Sequence, residues 1–81
     1  MKEPTDEQLD ELGRAKLSAR ATLALAEFSV VAGLRSRVPD MAERWEKLAD
    51  VEEALLAADR AFRQGVQERQ TARRMRKGGL L

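Results

Sequence analysis

Apolar side chains recur every three or four positions along most of this chain, and that spacing is typical of amphipathic α-helices. One stripe occupies residues 9–33, a second occupies residues 45–69, and Pro39 lies in the segment between them. The first stripe consists of Leu9, Leu12, Lys16, Ala19, Leu23, Ala26, Val30 and Gly33, and the second of Trp45, Leu48, Val51, Leu55, Ala58, Phe62, Val66 and Arg69. The pattern predicts an all-α protein, one domain over residues 1–81, with helices at about residues 5–37 and 40–77.

Local signals mark the start of each predicted helix. Thr5 is followed three residues later by Gln8, the pattern of a capping box in which each side chain bonds the other residue's backbone amide. Pro39 disfavours helical geometry at the residue before it. Asp40 and Glu43 repeat the capping-box pattern directly after this proline, so we expect the second helix to begin there.

The end of the second helix is marked by glycines. Gly78 and Gly79 are expected to stop it, and residues 78–81 to form a mobile tail. Gly65 lies earlier in the same segment, and glycine is a poor residue for a helix interior. The pattern leaves open whether the second helix continues through Gly65.

Two antiparallel helices joined at Pro39 form a hairpin in which the numbers of facing residues sum to about 78. This register places Trp45 opposite Gly33, where a large ring would fill the space left by a missing side chain. It also places Lys16 beside Phe62, so that the lysine stem packs along the ring while its ammonium reaches water. We therefore expect Trp45 and Phe62 in the core of the hairpin.

Residues 17–34 carry more apolar side chains than this hairpin can bury. Twelve of the eighteen positions are apolar, and Arg20 and Glu27 are the only charged residues among them. Five apolar residues form a stripe that faces away from the second helix: Leu17, Ala21, Ala24, Phe28 and Val31. An uncovered patch of this kind exceeds what soluble monomers usually expose. We expect this stripe to bind a second copy, giving a four-helix bundle, or another protein.

Composition removes most kinds of catalytic and ligand-binding chemistry. The chain has no Cys and no His, which takes away disulfides, the usual transition-metal ligands and the commonest general base. Its Ser and Thr hydroxyls therefore have no His to activate them. We expect no enzymatic activity, no cofactor, no metal and no small-molecule ligand.

The apolar segment has about the minimum length of a membrane span, but its charges argue against one. A charge at the centre of a span costs roughly 3 kcal/mol, and Arg20 and Glu27 both lie inside the segment. The first residues of the chain are acidic and polar, unlike a secretory signal. We expect a cytoplasmic protein that does not insert into a membrane.

Positive charge is concentrated near the end of the chain. Residues 67–81 contain one acid, Glu68, and five basic residues: Arg69, Arg73, Arg74, Arg76 and Lys77. In the hairpin register these lie alongside the acidic residues of 1–11, so the simplest expectation is pairing within the chain. Two other uses stay open, contact with an acidic protein surface and contact with nucleic-acid phosphates. A glycine-containing turn at 32–34 would additionally fit a helix-turn-helix over residues 24–50.

The expected function follows from the apolar stripe and the lack of catalytic residues. We expect a small protein-binding regulator, adaptor, chaperone or inhibitor that acts through the apolar face of its first helix. Small phage and mobile-element proteins that disable a host factor have this size and composition. The alternative is a nucleic-acid-binding regulator that uses the arginine-rich end of the second helix.

Overall fold

The protein is an antiparallel helical hairpin. The computed structural model describes residues 3–78, which form two helices, α1 (Asp6–Arg35) and α2 (Ala42–Lys77), packed along each other. The predicted all-α, two-helix architecture is confirmed. Gly78 follows α2 and donates its amide to the Arg74 carbonyl (2.9 Å). Residues 79–81, which complete the predicted mobile tail, lie outside the described residues.

The start of α1 is fixed by the predicted capping box. Thr5 is the N-cap residue, and its hydroxyl accepts the Gln8 backbone N–H at 3.1 Å. The Thr5 backbone N–H donates in turn to Gln8 Oε1 at 2.9 Å. Two amides that a helix end leaves unpaired are therefore satisfied, and Asp6 and Glu7 add negative charge at the positive end of the helix dipole.

The turn between the helices comes slightly earlier than predicted. Helix α1 ends at Arg35, because Arg37 has a left-handed backbone conformation with a φ of 52°. The Val38 amide then donates to the Gly33 carbonyl at 3.1 Å, a Schellman-type closure of the helix end. Since α1 continues through residues 32–34, the turn required for a helix-turn-helix at 24–50 is absent, and that interpretation is wrong.

The start of α2 shows half of the second predicted capping box. Asp40 Oδ1 accepts the Ala42 backbone N–H at 3.0 Å, which satisfies one free amide of the first turn. The helix itself begins at Ala42, two residues after the predicted start. Within residues 3–78 no reciprocal bond from Glu43 to Asp40 forms. The N-cap position of α2 is occupied by Met41, which makes no side-chain cap bond, so Asp40 acts from the residue before the N-cap and the predicted capping box is wrong.

Helix α2 continues through Gly65 without a break, and Gly65 is one of its buried residues. A Cβ atom built at Gly65 would lie 2.9 Å from Leu12 Cδ1 and 3.3 Å from Leu9 Cδ2. The glycine therefore lets the two leucines of α1 approach the α2 backbone more closely than a side chain would permit. The sequence left open whether the second helix continues through Gly65. It does, and the packing of α1 explains why a glycine stands at this position.

The buried core of the hairpin is thin. Among the described residues, the buried apolar side chains are Ala26, Val30 and Ala72, and no large side chain is fully buried. The molecule measures 64 × 16 × 14 Å, and its radius of gyration is 18.6 Å. A compact domain of this length has a radius of gyration of about 12 Å. The hairpin is a rod in which each helix covers only one side of the other.

Candidate protein-binding face

The stripe predicted on the far side of α1 is exposed along its whole length. We name Leu17, Ala21, Ala24, Phe28 and Val31 the apolar face of α1; all five residues are exposed. Phe28 retains 73% of its accessible surface and Leu17 retains 63%. Since Ala26 and Val30 already point at α2, the same helix cannot turn the apolar face toward α2 as well.

Further apolar side chains are exposed on both helices. Leu25 is 72% exposed beside the apolar face, and Leu34 is exposed at the end of α1. On α2, Trp45 and Leu56 are 47% and 58% exposed. Scattered exposed leucines are normal in proteins, but a row of them along one helix marks an interaction site.

The predicted burial of Trp45 against Gly33 is wrong. The space over Gly33 is taken by Met41 and Arg44: a Cβ atom built at Gly33 would lie 2.7 Å from Met41 Sδ and 3.0 Å from Arg44 Cδ. Arg44 then donates from Nη1 to the Ser29 carbonyl oxygen at 2.6 Å. Because Arg44 faces α1 at this level, its neighbour Trp45 turns outward and joins the exposed surface.

Lys16 lies beside Phe62 as predicted, but its ammonium, which was expected to reach water, pairs with Asp59. Lys16 Nζ lies 4.9 Å from the centroid of the Phe62 ring, within cation–π range. It also lies 2.9 Å from Asp59 Oδ1, and Arg63 Nε lies 3.1 Å from Asp59 Oδ2. The Lys16 ammonium, together with the nearby Arg63 and Arg20, holds the pKa of Asp59 below its usual value.

Two of the five basic residues predicted as a binding site pair with acidic residues near the start of the chain. Arg76 makes a bidentate contact with Glu3, at 2.8 and 2.9 Å, and Arg69 contacts Asp6. The Arg76 contact lowers the pKa of Glu3, and the pKa of Arg76 is raised in return. These ion pairs join the open end of the hairpin, as the expectation of pairing within the chain requires.

The other three basic residues of this end remain available. Arg73, Arg74 and Lys77 are exposed, and none of them lies within ion-pair distance of a carboxylate of residues 3–78. We name the five basic residues of α2 near Gly78 the basic end. Of its five positive charges, three are left for contact with a partner.

Acid is expected to destabilise the hairpin through Asp59. Because the folded pKa of Asp59 lies below the unfolded value, the ionised carboxylate stabilises the folded state at neutral pH. That contribution is lost as the pH falls below about 4 and through the folded pKa. Thermal unfolding at pH 7 and pH 3 should therefore show a larger drop in melting temperature for the wild type than for Asp59→Asn. Equal drops in the two proteins would mean that the Lys16 ion pair contributes nothing to stability.

Helix α1 is long and apolar enough to cross a membrane, judged by length and composition alone. In the structure, α2 lies along the apolar segment and carries its own charges. The contacts of Asp59 with Lys16 and of Arg44 with Ser29 hold α2 there. Inserting α1 would require either opening the hairpin or carrying these charged groups into lipid.

The acidic residues of the described part of the chain do not form a metal-binding cluster. No group of three or more carboxylates that would hold a metal ion occurs in residues 3–78. An open groove at the end of the hairpin is lined by Pro4, Leu12, Gly65 and neighbouring residues. The exposed apolar surface is therefore the main feature that requires a functional explanation.

Comparison with known proteins yields no relative. No protein-family model, curated protein or solved structure matches this chain. Inferences about its function therefore come from the physical properties of the hairpin.

Proposed function

We propose that this protein is a non-catalytic protein-binding regulator, of the adaptor, chaperone or inhibitor type, that works through the apolar face of α1. The observation that carries the proposal is the exposure of Phe28, Leu17 and Leu25 in a row on one helix. Burial of these side chains by a partner contributes about 1.5–3 kcal/mol for each large one. This free energy is large for a hairpin that buries few apolar side chains of its own.

The total surface of the chain supports the same proposal. The accessible surface is 6603 Å², whereas a compact monomer of 9.1 kDa exposes about 4,900 Å². The surplus of about 1,700 Å² is comparable with the area that one partner contributes to a permanent dimer interface. Proteins shorter than about 80 residues commonly gain missing core area by oligomerising.

We propose that the first partner of the apolar face is a second copy of this chain. Two hairpins that pack through their α1 helices make a four-helix bundle with the two α1 helices at its centre. The surface on α2 that includes Trp45 and Leu56 stays accessible in such a dimer, and it is the part that a different protein would contact. We place this protein, acting in the cytoplasm, among the small regulators of phages and mobile elements, because its size and its lack of catalytic residues fit that class.

Nucleic-acid binding is the competing function, and a salt titration separates it from the proposal. Among residues 67–78, the basic residues without an ion-pair partner are Arg73, Arg74 and Lys77, so these account for at most three phosphate contacts per chain. Binding to duplex DNA is then expected to be weak, with a slope of log K against log salt no steeper than about −3 per chain.

The measurement is a fluorescence-anisotropy titration of a labelled duplex at 50 and 200 mM salt. We expect no saturable binding at micromolar protein in 200 mM salt. Submicromolar binding with a slope much steeper than that limit would overturn the proposal in favour of a nucleic-acid-binding regulator. Arg73→Glu would then identify the contact, since its charge reversal leaves the pairs of Arg69 and Arg76 in place.

A further inference from the structure

The apolar face of α1 has the spacing of a coiled-coil seam. Its five residues follow one another at intervals of four, three, four and three, so they occupy alternating a and d positions of a heptad repeat. Ala24 is the middle residue, with Leu17 and Ala21 before it and Phe28 and Val31 after it. Such spacing fits a second helix that runs along α1 for several turns.

Side-chain size favours one orientation of that second helix. When it is an antiparallel second copy centred on Ala24, Phe28 of each chain packs against the partner's Ala21, and Leu17 against the partner's Val31. When it is parallel, Phe28 meets the partner's Phe28 and Ala21 meets the partner's Ala21. The parallel arrangement crowds one layer and leaves a void in another, whereas the antiparallel one matches large side chains with small ones.

Charge favours the same orientation. Arg20 and Glu27, the only charged residues of 17–34, flank the seam on one side, one heptad apart. Both are exposed, and neither lies within ion-pair distance of another charged group of residues 3–78. In an antiparallel pair, Arg20 faces the partner's Glu27 and Glu27 faces the partner's Arg20. In a parallel pair, these positions face the partner's Leu25 and Ala32 instead.

We propose that a second copy of this chain covers the apolar face of α1 in antiparallel orientation, with a twofold axis at Ala24 and two symmetric ion pairs between Arg20 and the partner's Glu27. This rests on the proposed function, since it assigns an occupant and an orientation to the same face. Leu25, which is 72% exposed in the single chain, then lies beside the partner's Leu25 near the axis. The surplus surface of about 1,700 Å² exceeds the roughly 800 Å² per partner of a standard interface.

The ion pairs are tested by charge reversal and mixing. Arg20→Glu gives four acidic groups along this side of the seam in the dimer, and Glu27→Arg gives four basic groups. Each variant alone is expected to dimerise about 10- to 100-fold more weakly than the wild type. An equimolar mixture of the two is expected to form a heterodimer at least as stable as the wild-type dimer, because every facing pair is then opposite in charge.

Matched controls for this experiment lie on α2. Arg60→Glu and Glu53→Arg make the same charge changes at exposed positions away from the seam, and should change the dimer dissociation constant less than about twofold. Sedimentation equilibrium measures all of these constants. Unaltered dimerisation of Arg20→Glu and Glu27→Arg, or no preference for the mixed dimer, would overturn the proposed ion pairs.

The orientation is tested by single cysteines, which are clean probes because the chain has none of its own. Ala24→Cys is expected to form an intermolecular disulfide under mild oxidation, since the two copies of residue 24 lie at the axis. Leu17→Cys is expected not to, because its two copies are about 21 Å apart along the antiparallel helices, too far for a disulfide. Leu17→Cys crosslinking within a dimer would overturn the antiparallel orientation. A wild-type chain that stays monomeric would instead overturn the self-association in the proposed function.

Discussion

Phe28→Asp is expected to convert the proposed dimer into a monomer. Phe28 is the largest residue of the apolar face and is 73% exposed in the single chain, so the fold itself does not require the ring. In the dimer the substitution removes two buried rings and places two unpaired carboxylates in an apolar seam. We expect the dissociation constant to rise at least about 100-fold, since burying an unpaired charge costs several kcal/mol and each 1.4 kcal/mol is a factor of ten.

Two control variants separate the effect of position 28 from the effect of an added charge. Ala57→Asp introduces the same charge at an exposed position of α2 and should leave the dissociation constant within about twofold of the wild type. Phe28→Ala removes the ring without adding a charge and should weaken the dimer by a smaller factor than Phe28→Asp. Light scattering coupled to size-exclusion chromatography measures the mass of each. A dimer that survives Phe28→Asp would mean that the interface lies on another surface.

Gly65→Leu is expected to lower the free energy of unfolding by about 1–3 kcal/mol, the usual cost of overpacking. Its first side-chain atom would already lie 2.9 Å from Leu12 Cδ1 and 3.3 Å from Leu9 Cδ2. The remaining atoms of a leucine would push the helices apart near the open end of the hairpin. Leucine is the better helix former by about 1 kcal/mol, so a net loss of stability would show that close packing outweighs propensity.

Two substitutions separate packing at Gly65 from helix propensity. Ala57→Leu places the same side chain on an exposed part of α2 and should change stability by less than about 0.5 kcal/mol. Gly65→Ala adds only one atom, which meets the flexible ends of two leucine side chains, so it should stay within about 1 kcal/mol of the wild type. Chemical denaturation followed by circular dichroism gives the free energies at one fixed protein concentration. A Gly65→Leu protein more stable than the wild type would contradict the observed approach of α1.

Much of the hairpin was predictable because its local signals are strong and consistent. The capping box of Thr5 and Gln8 and the contact of Lys16 with Phe62 all occur where the spacing places them. The pairing of Arg76 with Glu3 follows from the antiparallel order of opposite charges at the open end. These features depend on residue type and spacing alone, and that information is fully present in the sequence.

The surroundings of Gly33 were not predictable, because several side chains compete for the same space. Spacing alone places Trp45 there, but the flexible stems of Met41 and Arg44 fill it more closely. The hydrogen bond from Arg44 to the Ser29 carbonyl depends on side-chain geometry that periodicity does not report. The close approach of Leu9 and Leu12 to Gly65 likewise depends on the packing of α1, which the pattern of α2 does not report.

The candidate site was predictable as a set of residues but not in its extent. Spacing identifies the five positions of the apolar face, and the structure leaves all of them exposed. The added exposure of Trp45 follows from the packing of Arg44, so the sequence gives no sign of it. The flanking charges of Arg20 and Glu27 gain their significance only when α1 is considered as one half of a symmetric pair.

Sedimentation equilibrium of the unmodified chain determines whether a second copy covers the apolar face of α1 in solution. At tens of micromolar protein we expect twice the chain mass of 9.1 kDa, with dissociation toward the single-chain mass on dilution. A folded chain that stays at 9.1 kDa at every concentration would contradict the claim.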